Sequence, residues 1–526
     1  MDTSNATVEG GRSAAPRAAE LVLLGSVFLV AACGLVYELA AGTLASYLLG
    51  DSVLQFSTII GTYLFAMGVG SWLSRLLVHQ LAAHFLRVEL LVGVTGGLMP
   101  AALFLLASRS PEPFRWILYG LVWLVGVLVG LEIPLVMRLL RRHYSLQHLV
   151  SEVLTFDYLG ALGVSIAFPL LLVPRLGLIR TSLLFGLMNI AVAAWTLWLY
   201  RGELHRLRSH VSATAASFAV LLAAFAGAER ITTWSEDRFY ADRVLYAASS
   251  PYQRIVITQS HPGRDDSVRL FLNGNLQFFS RDEYRYHEAL VHPVMAAFGA
   301  PRHVLILGGG DGMAAREILK YPSVQDITLV DLDANVTRLF SSEPLLRRLN
   351  HDSLLSPRLK VINDDAFQWL QRRVDDPAAA PFDAIVIDFP DPSNFSLGKL
   401  YTTSFYSLVD HSLAADGYAV VQTTSPLVAR HSFWTVVATL EAVGLRTAPY
   451  HVDVPSFGEW GFVIASRRPY HYPESLPAGL RFLSAPTLPL MFDFPPDMSR
   501  LPAEPNRLSN QVLVQTFEAE WGEVLP

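Results

Sequence analysis

The 526-residue chain has a single cysteine, Cys33, so neither a disulfide nor a thiolate metal site can form within it. Charge is scarce as well. Asp, Glu, Lys and Arg together make up 16% of the residues, against about 25% in an average soluble domain. The net charge is −6, which leaves no basic excess for nucleic acid as a partner. Apolar residues fill the gap, at 52% of the chain and a mean hydropathy of +0.35. They are unevenly spread. Apolar runs crowd the first 230 residues, and the remainder has the composition of a water-soluble protein.

A helix needs about 20 apolar residues to cross a bilayer core of about 30 Å. Seven runs meet that measure, near 20–46, 57–78, 86–108, 114–137, 151–173, 179–200 and 211–228. The spacing predicts an N-terminal tail over 1–19 and a multi-pass α-helical membrane domain over 20–230, placing the chain in the cell membrane with lipid as a partner. The Lys/Arg bias of short loops favours an inside N-terminus, with Arg12, Arg75, Arg138 and Arg142 on that side and Arg109, Arg115 and Arg175 on the other. Seven spans would then carry the C-terminal half to the far side. An even number would keep it with the N-terminus, and the alanine-rich 211–228 run is the weakest of the seven. Glu38, Glu132 and Asp157 fall within the runs, where a carboxylate is costly and points to function, here a path for a cationic ligand.

From about 231 the periodicity changes. Tyr252–Gln259 and Val268–Phe271 alternate as strands, with Asn273-Gly274 as a hairpin turn, predicting a small β-rich module over 231–300. An apolar strand, His303–Leu307, then runs into Gly308-Gly309-Gly310-Asp311-Gly312 and a helix. Strand, glycine loop and helix form the first turn of a doubly wound, Rossmann-like α/β domain, predicted over 301–467. A second strand, Asp326–Val330, delivers Asp331 about 20 residues on, where an acid suits ribose hydroxyls. A third, Leu359–Ile362, leads to Asn363-Asp364-Asp365-Ala366 and sets a carboxyl or backbone group near an adenine edge. The buried strand before Asp388 delivers that residue to the sheet's carboxyl end, and Asp391 follows in FPDP. Two carboxylates at this spacing can neutralise a di-cation and accept a proton from an attacking ammonium group. The tail, 468–526, is proline-rich and reads as packing segments.

Taken in order, Tyr252-Gln253, Tyr286-His287-Glu288, GGGDG, Asp388–Pro392 and Leu400-Tyr401…Phe405-Tyr406 resemble the spermidine/spermine synthase family across roughly 240–465. With its membrane helices, the chain is similar to the family's bacterial membrane-bound branch. The resemblance implies transfer of an aminopropyl group from decarboxylated S-adenosylmethionine, a co-substrate, to putrescine or a related polyamine, with methylthioadenosine released. It implies donor binding by Gln253, Gly308, Gly310, Asp331, Asp365 and Ala366, an amine channel around Tyr286, His287, Asp311 and Asp391, and Asp388 as the base. It also implies an oligomer, since soluble members form dimers or tetramers. A sulfonium is already an activated leaving group, so the transfer needs no cofactor and no metal.

The chain departs from the family pattern at Pro455-Ser456-Phe457, where many members carry a tyrosine; Glu459 would replace the lost polar contact. Gln422, at a strand end, is either a further channel residue or polar core filler. Two other readings share these residues. A methyltransferase has the same fold, but Asp311 beside the aminoacyl end of the donor would repel a carboxylate and attract the ammonium of a decarboxylated donor. A polyamine transport or sensing protein would use the membrane acids.

Overall fold

The computed structural model describes residues 14–49, 52–107, 111–141, 146–240, 242–260 and 266–522. Arg12, Arg109 and Arg142 lie outside them. The chain divides into two compact units, Met1–Ala241 and Asp242–Pro526.

The first unit is helical: α1 Ala14–Leu49, α2 Ser52–Leu73, α3 Leu81–Ala107, α4 Pro111–Leu140, α5 Leu146–Ala167, α6 Val173–Leu199 and α7 Leu207–Phe239. Backbones approach closely where glycines face one another. A Cβ on Gly70 of α2 would lie 2.0 Å from the Val127 carbonyl of α4, and one on Gly130 of α4 would lie 2.1 Å from the Met67 carbonyl. Small residues at these contacts let the helix backbones approach closely. Among the described residues, six stretches are long and apolar enough to cross a membrane, against the seven runs in the sequence. The difference lies at Val150–Leu199, a stretch of 50 residues. It joins α5 to α6 through a π-helical turn, Phe168–Leu172, and is broken at Gly177 (φ 76°, ψ 168°). At 1.5 Å per residue it is about 75 Å long, more than twice a bilayer core, so it counts as two segments.

The second unit opens with a four-stranded antiparallel sheet in the order β1-β2-β3-β4: β1 Arg243–Ser249, β2 Arg254–Gln259, β3 Val268–Leu272 and β4 Asn275–Phe279. Asn273 (φ 50°) and Gly274 (φ 82°) join β3 to β4, the left-handed pair that a two-residue hairpin requires. Helix α8, Glu283–Phe298, leads to the main sheet.

That sheet has seven strands in the order β10-β11-β9-β8-β5-β6-β7. These are β5 His303–Gly308, β6 Asp326–Asp331, β7 Leu359–Asn363, β8 Phe382–Asp388, β9 Leu413–Gln422, β10 Arg446–Val454 and β11 Gly458–Ser466. β5 to β9 are parallel, and β11 and β10 close the edge antiparallel. Both faces are covered, so β5 is apolar throughout rather than alternating. Val304 and Ile306 enter one core, while Leu305 and Leu307 enter the other. The covering helices include α9 Met313–Ile318, α10 Ala334–Ser342, α11 Pro344–Leu349, α12 Ala366–Val374, α13 Phe395–Gly398, α14 Thr403–Ser412, α15 Arg430–Ala442 and α16 Val512–Gly522. From β5 the chain winds outward to β6 and β7, then returns to β8 on the other side of β5. That reversal puts a crevice between the carboxyl ends of β5 and β8, where ligands of such sheets bind.

The tail is tied to this core through polar contacts. The buried Glu288 carboxylate of α8 accepts the backbone N–H groups of Arg481, Phe482 and Leu483. Asn506 Nδ2 donates to the Gly398 and Tyr401 carbonyls at 3.2 and 3.1 Å. Glu520 accepts the N–H groups of His431 and Ser432 at the start of α15.

Candidate active site

The crevice gathers carboxylates from four strand ends. Gly308 and Asp388 are register partners on β5 and β8, and Gly309 N–H donates to the Asp388 carbonyl at 3.2 Å. Gly308 has φ 83°, and a Cβ there would lie 2.1 Å from the Asp388 carbonyl oxygen. No other residue fits. At Gly310 a Cβ would meet Asp331 Oδ2 at 2.6 Å; in its absence Gly310 N–H donates to that oxygen at 3.0 Å. Asp331 Oδ1 accepts the Asp333 N–H at 2.8 Å. Burial pushes the Asp331 carboxyl up to about 6, although both of these backbone donors oppose the shift.

Gln253 reaches this region through Asp333, a residue the motifs did not mark. Its Nε2 donates to Asp333 Oδ2 at 3.1 Å, and Ser250 Oγ donates to the same oxygen at 2.6 Å. Asp333 also caps α10 by accepting the Asn335 N–H. Asp365 is occupied in a similar way. Its Oδ1 accepts the Phe367 and Gln368 N–H groups at the start of α12, ahead of Ala366, and Lys399 Nζ lies 2.6 Å from Oδ2. Burial works against the charge there, but Lys399 and the two N–H groups hold Asp365 below its ordinary value. The carboxylate expected near the adenine edge is therefore already paired.

On the other side of the glycine loop, Tyr286 Oη donates to Asp388 Oδ1 at 2.6 Å. Burial raises the Asp388 carboxyl to about 6, with Asp311 adding to the shift and His287 opposing it. Asp391 is pushed up to about 7, again by burial. Gln422 ties the wall together: its Nε2 donates to the Phe389 carbonyl, to Tyr401 Oη at 3.2 Å and to Asp391 Oδ1 at 3.4 Å. Its Oε1 accepts the Trp460 indole N–H at 3.1 Å. Every polar atom of Gln422 is used on site residues, so it is more than filler.

His287 sits behind the acids. Burial would neutralise it, yet Glu283, with Oε2 2.7 Å from Nδ1, outweighs that cost and raises the imidazole to about 9. Arg316 donates to both oxygens of Glu283, whose carboxyl lies at about 2. As an imidazolium, His287 has no lone pair for an ammonium ligand; it acts on Asp311 and Asp388 as a counter-charge. Asp311 Oδ1 accepts the Met313 N–H at 2.9 Å, and burial raises its carboxyl.

Glu459 does not join the group. Alternate residues of a strand face opposite sides, so on β11 Trp460 turns to Gln422 while Glu459 bonds His451 Nδ1 on the other face. Phe457 does lie at the site edge, its ring 6.3 Å from Tyr286 and 5.2 Å from Trp460. Asp333, Lys399, Glu283 and Trp460 carried no sequence motif; an acid opening α10 two residues after Asp331 was the one available sign. Among the described residues, no group of three His, Cys, Asp or Glu is placed to hold a metal ion.

Comparison with known proteins identifies the family. A family model described as the spermine/spermidine synthase domain matches residues 283–474. Polyamine aminopropyltransferase 2 of Ralstonia nicotianae is 55% identical over 512 residues, covering 96% of this chain and 99% of that one. The polyamine aminopropyltransferase of Leptospira interrogans is 47% identical, covering 95% and 98%. A crystal structure of spermidine synthase in complex with the transition state analogue AdoDATO covers 48% of this chain and 86% of its own, with 26% identity and a TM-score of 0.43. The chain belongs to the polyamine aminopropyltransferase family.

Proposed function

We propose that the second unit transfers an aminopropyl group from decarboxylated S-adenosylmethionine to putrescine or a related linear amine, giving spermidine and methylthioadenosine. The observation that carries this reading is the pair of carboxylates, Asp388 and Asp391, held by Tyr286 and Gln422 beside the glycine loop. The amine nitrogen attacks the carbon next to sulfur, and the C–S bond breaks with its electron pair left on sulfur. One amine proton must leave. Asp388, at about 6, is ionised at neutral pH and still basic enough to take that proton. Asp391, fixed by Gln422, holds the amine in line, which converts an encounter into an intramolecular step. Asp311 attracts the ammonium of the donor, Asp331 binds its ribose, and Asp365 with Ala366 lies at its adenine edge. Trp460 and Phe457 supply apolar wall for the methylene chain.

The experiment is to incubate the detergent-purified full chain with decarboxylated S-adenosylmethionine and, separately, putrescine, cadaverine and spermidine. Methylthioadenosine is followed by mass spectrometry. Amine-dependent release, best with putrescine, is expected; transfer from the carboxylated donor instead would refute the reading.

The first unit is proposed to span the cell membrane several times. The apolar stretches support this, as do large apolar side chains on the bundle exterior, including Phe65, Trp116, Leu170 and Trp198, each at least 65% exposed. Large apolar side chains exposed on one unit mark a surface that meets another apolar medium or partner. Membrane-fraction protein that washes off at alkaline pH would refute it.

A further inference from the structure

The helical unit holds a polar cluster that aminopropyl transfer does not use. Glu132 on α4 is fully buried, and neither of its carboxylate oxygens meets a hydrogen-bond partner among the described residues. Glu89 on α3 is equally buried. Its Oε2 accepts from Asn189 Nδ2 of α6 at 3.0 Å, while Oε1 has no partner. Asn189 Oδ1 in turn accepts the Tyr37 hydroxyl of α1 at 3.2 Å. Glu132 lies within electrostatic range of Glu89 and of Asp157 on α5, and Tyr37 within range of both glutamates. Five helices thus bring polar groups together, with Tyr37, Glu89, Glu132 and Asn189 buried and Asp157 half-buried. No Lys or Arg among the described residues acts on the two glutamates.

The acids lie along comparable stretches of their helices. Glu89 stands eight residues from the start of α3 at Leu81, Glu132 eight from the end of α4 at Leu140 and Asp157 eleven from the start of α5 at Leu146. Consecutive helices joined by short connections run antiparallel, so these three ends share a side. At 1.5 Å per residue the three acids lie about 12–17 Å along the helix axes from those ends. An idle, buried carboxylate in an apolar bundle calls for a partner. Protonation removes one charge but leaves an O–H with no acceptor of its own. An ammonium group supplies both the charge and the N–H donors. The acids are also spread rather than nested, since no three of them are placed to hold a metal ion. Spread anions match a linear cation with charge at its two ends.

We propose that Glu132, Glu89 and Asp157 form a second binding site, inside the bundle, for an aliphatic diammonium cation. Asn189 and Tyr37 fix the Glu89 carboxylate for it. The ligand class rests on the reading of the second unit as a diamine-using enzyme; the site itself rests on the unpartnered glutamates. Equilibrium dialysis of labelled putrescine against the detergent-solubilised full chain tests it. The wild type is compared with Glu132→Gln, Glu89→Gln and the double variant Asp388→Asn/Asp391→Asn. Gel filtration and unchanged methylthioadenosine release verify that the bundle variants are intact. The wild type is expected to bind one equivalent more than either bundle variant, and the double variant to lose the other equivalent. Should Glu132→Gln aggregate, Glu89→Gln carries the same expectation. Equal binding by the wild type and the intact bundle variants overturns the site. Full binding by the double variant alone, with the bundle variants reduced, overturns the catalytic reading and leaves the bundle site standing.

Discussion

Replacing Asp388 by Asn separates the base from the scaffold around it. The amide is isosteric, and its oxygen still accepts the Tyr286 hydroxyl now 2.6 Å from Oδ1, so the wall of the site keeps its shape. What disappears is the acceptor for the amine proton. General base catalysis contributes about a hundredfold or more, which is about 2.7 kcal/mol of barrier at 1.36 kcal/mol per decade. Turnover should therefore fall at least about a hundredfold while donor affinity is kept. The pH profile gives a second reading. In the wild type, kcat/KM should rise with pH through about 6 and about 7 as Asp388 and Asp391 ionise, and the lower limb should vanish in the variant. Stability moves the opposite way. A carboxyl raised from 3.8 to about 6 on folding stabilises the fold fully only below its unfolded value, and that contribution is lost as pH rises through 6. At pH 8 the unliganded variant should therefore be more stable than the wild type, on the order of 2 kcal/mol. Methylthioadenosine release across pH and a thermal melt at pH 8 measure both. Turnover within about tenfold of the wild type, or an unchanged acid limb, would remove Asp388 from the base role.

Gln422→Ala frees Asp391, Tyr401 and Trp460 at once and should raise the amine KM about tenfold or more, with donor KM unchanged in the same assay. Gly310→Ala puts a methyl 2.6 Å from Asp331 Oδ2 and should weaken methylthioadenosine binding at least about tenfold by calorimetry; unaltered affinity would separate Asp331 from the donor. Glu288→Ala leaves three backbone N–H groups without their acceptor and should cost about 2–4 kcal/mol in thermal or denaturant unfolding. A chain starting at Asp242 should fold alone, as its own cores imply; a coil-like circular dichroism spectrum would show that it needs the bundle.

The positions of Asp331 and Asp388 were legible in the sequence because each stands directly at the end of an apolar strand. Asp331 and Asp388 need only the local rule that a buried strand hands its next residue to the carboxyl edge. Contacts assembled from distant segments left no such mark. Asp333 gains its place from Ser250 and Gln253, more than 75 residues earlier. The charge on His287 depends on Glu283 and, behind it, Arg316. Glu459 has the polarity of a channel residue, but one residue of strand parity turns it to the other face and gives Trp460 the position. β1 is an edge strand, exposed or half-buried along its length, and so carries no clean alternation in the sequence. Tail residues such as Leu488 and Leu513 enter the cores, and Glu288, Asn506 and Glu520, single polar residues with no periodicity to read, tie the tail down as well.

Asn506 carries a consequence for how the molecule comes into being. It holds the Gly398 and Tyr401 carbonyls just beyond the catalytic strand, 108 and 105 residues upstream. At about 5–20 residues per second, a ribosome that has delivered Asp388 needs on the order of ten seconds more before the side chain that braces its loop exists. Through that interval the nascent chain carries its carboxylates on an unfastened loop. The brace on that loop therefore arrives late in synthesis, long after the helical half is complete.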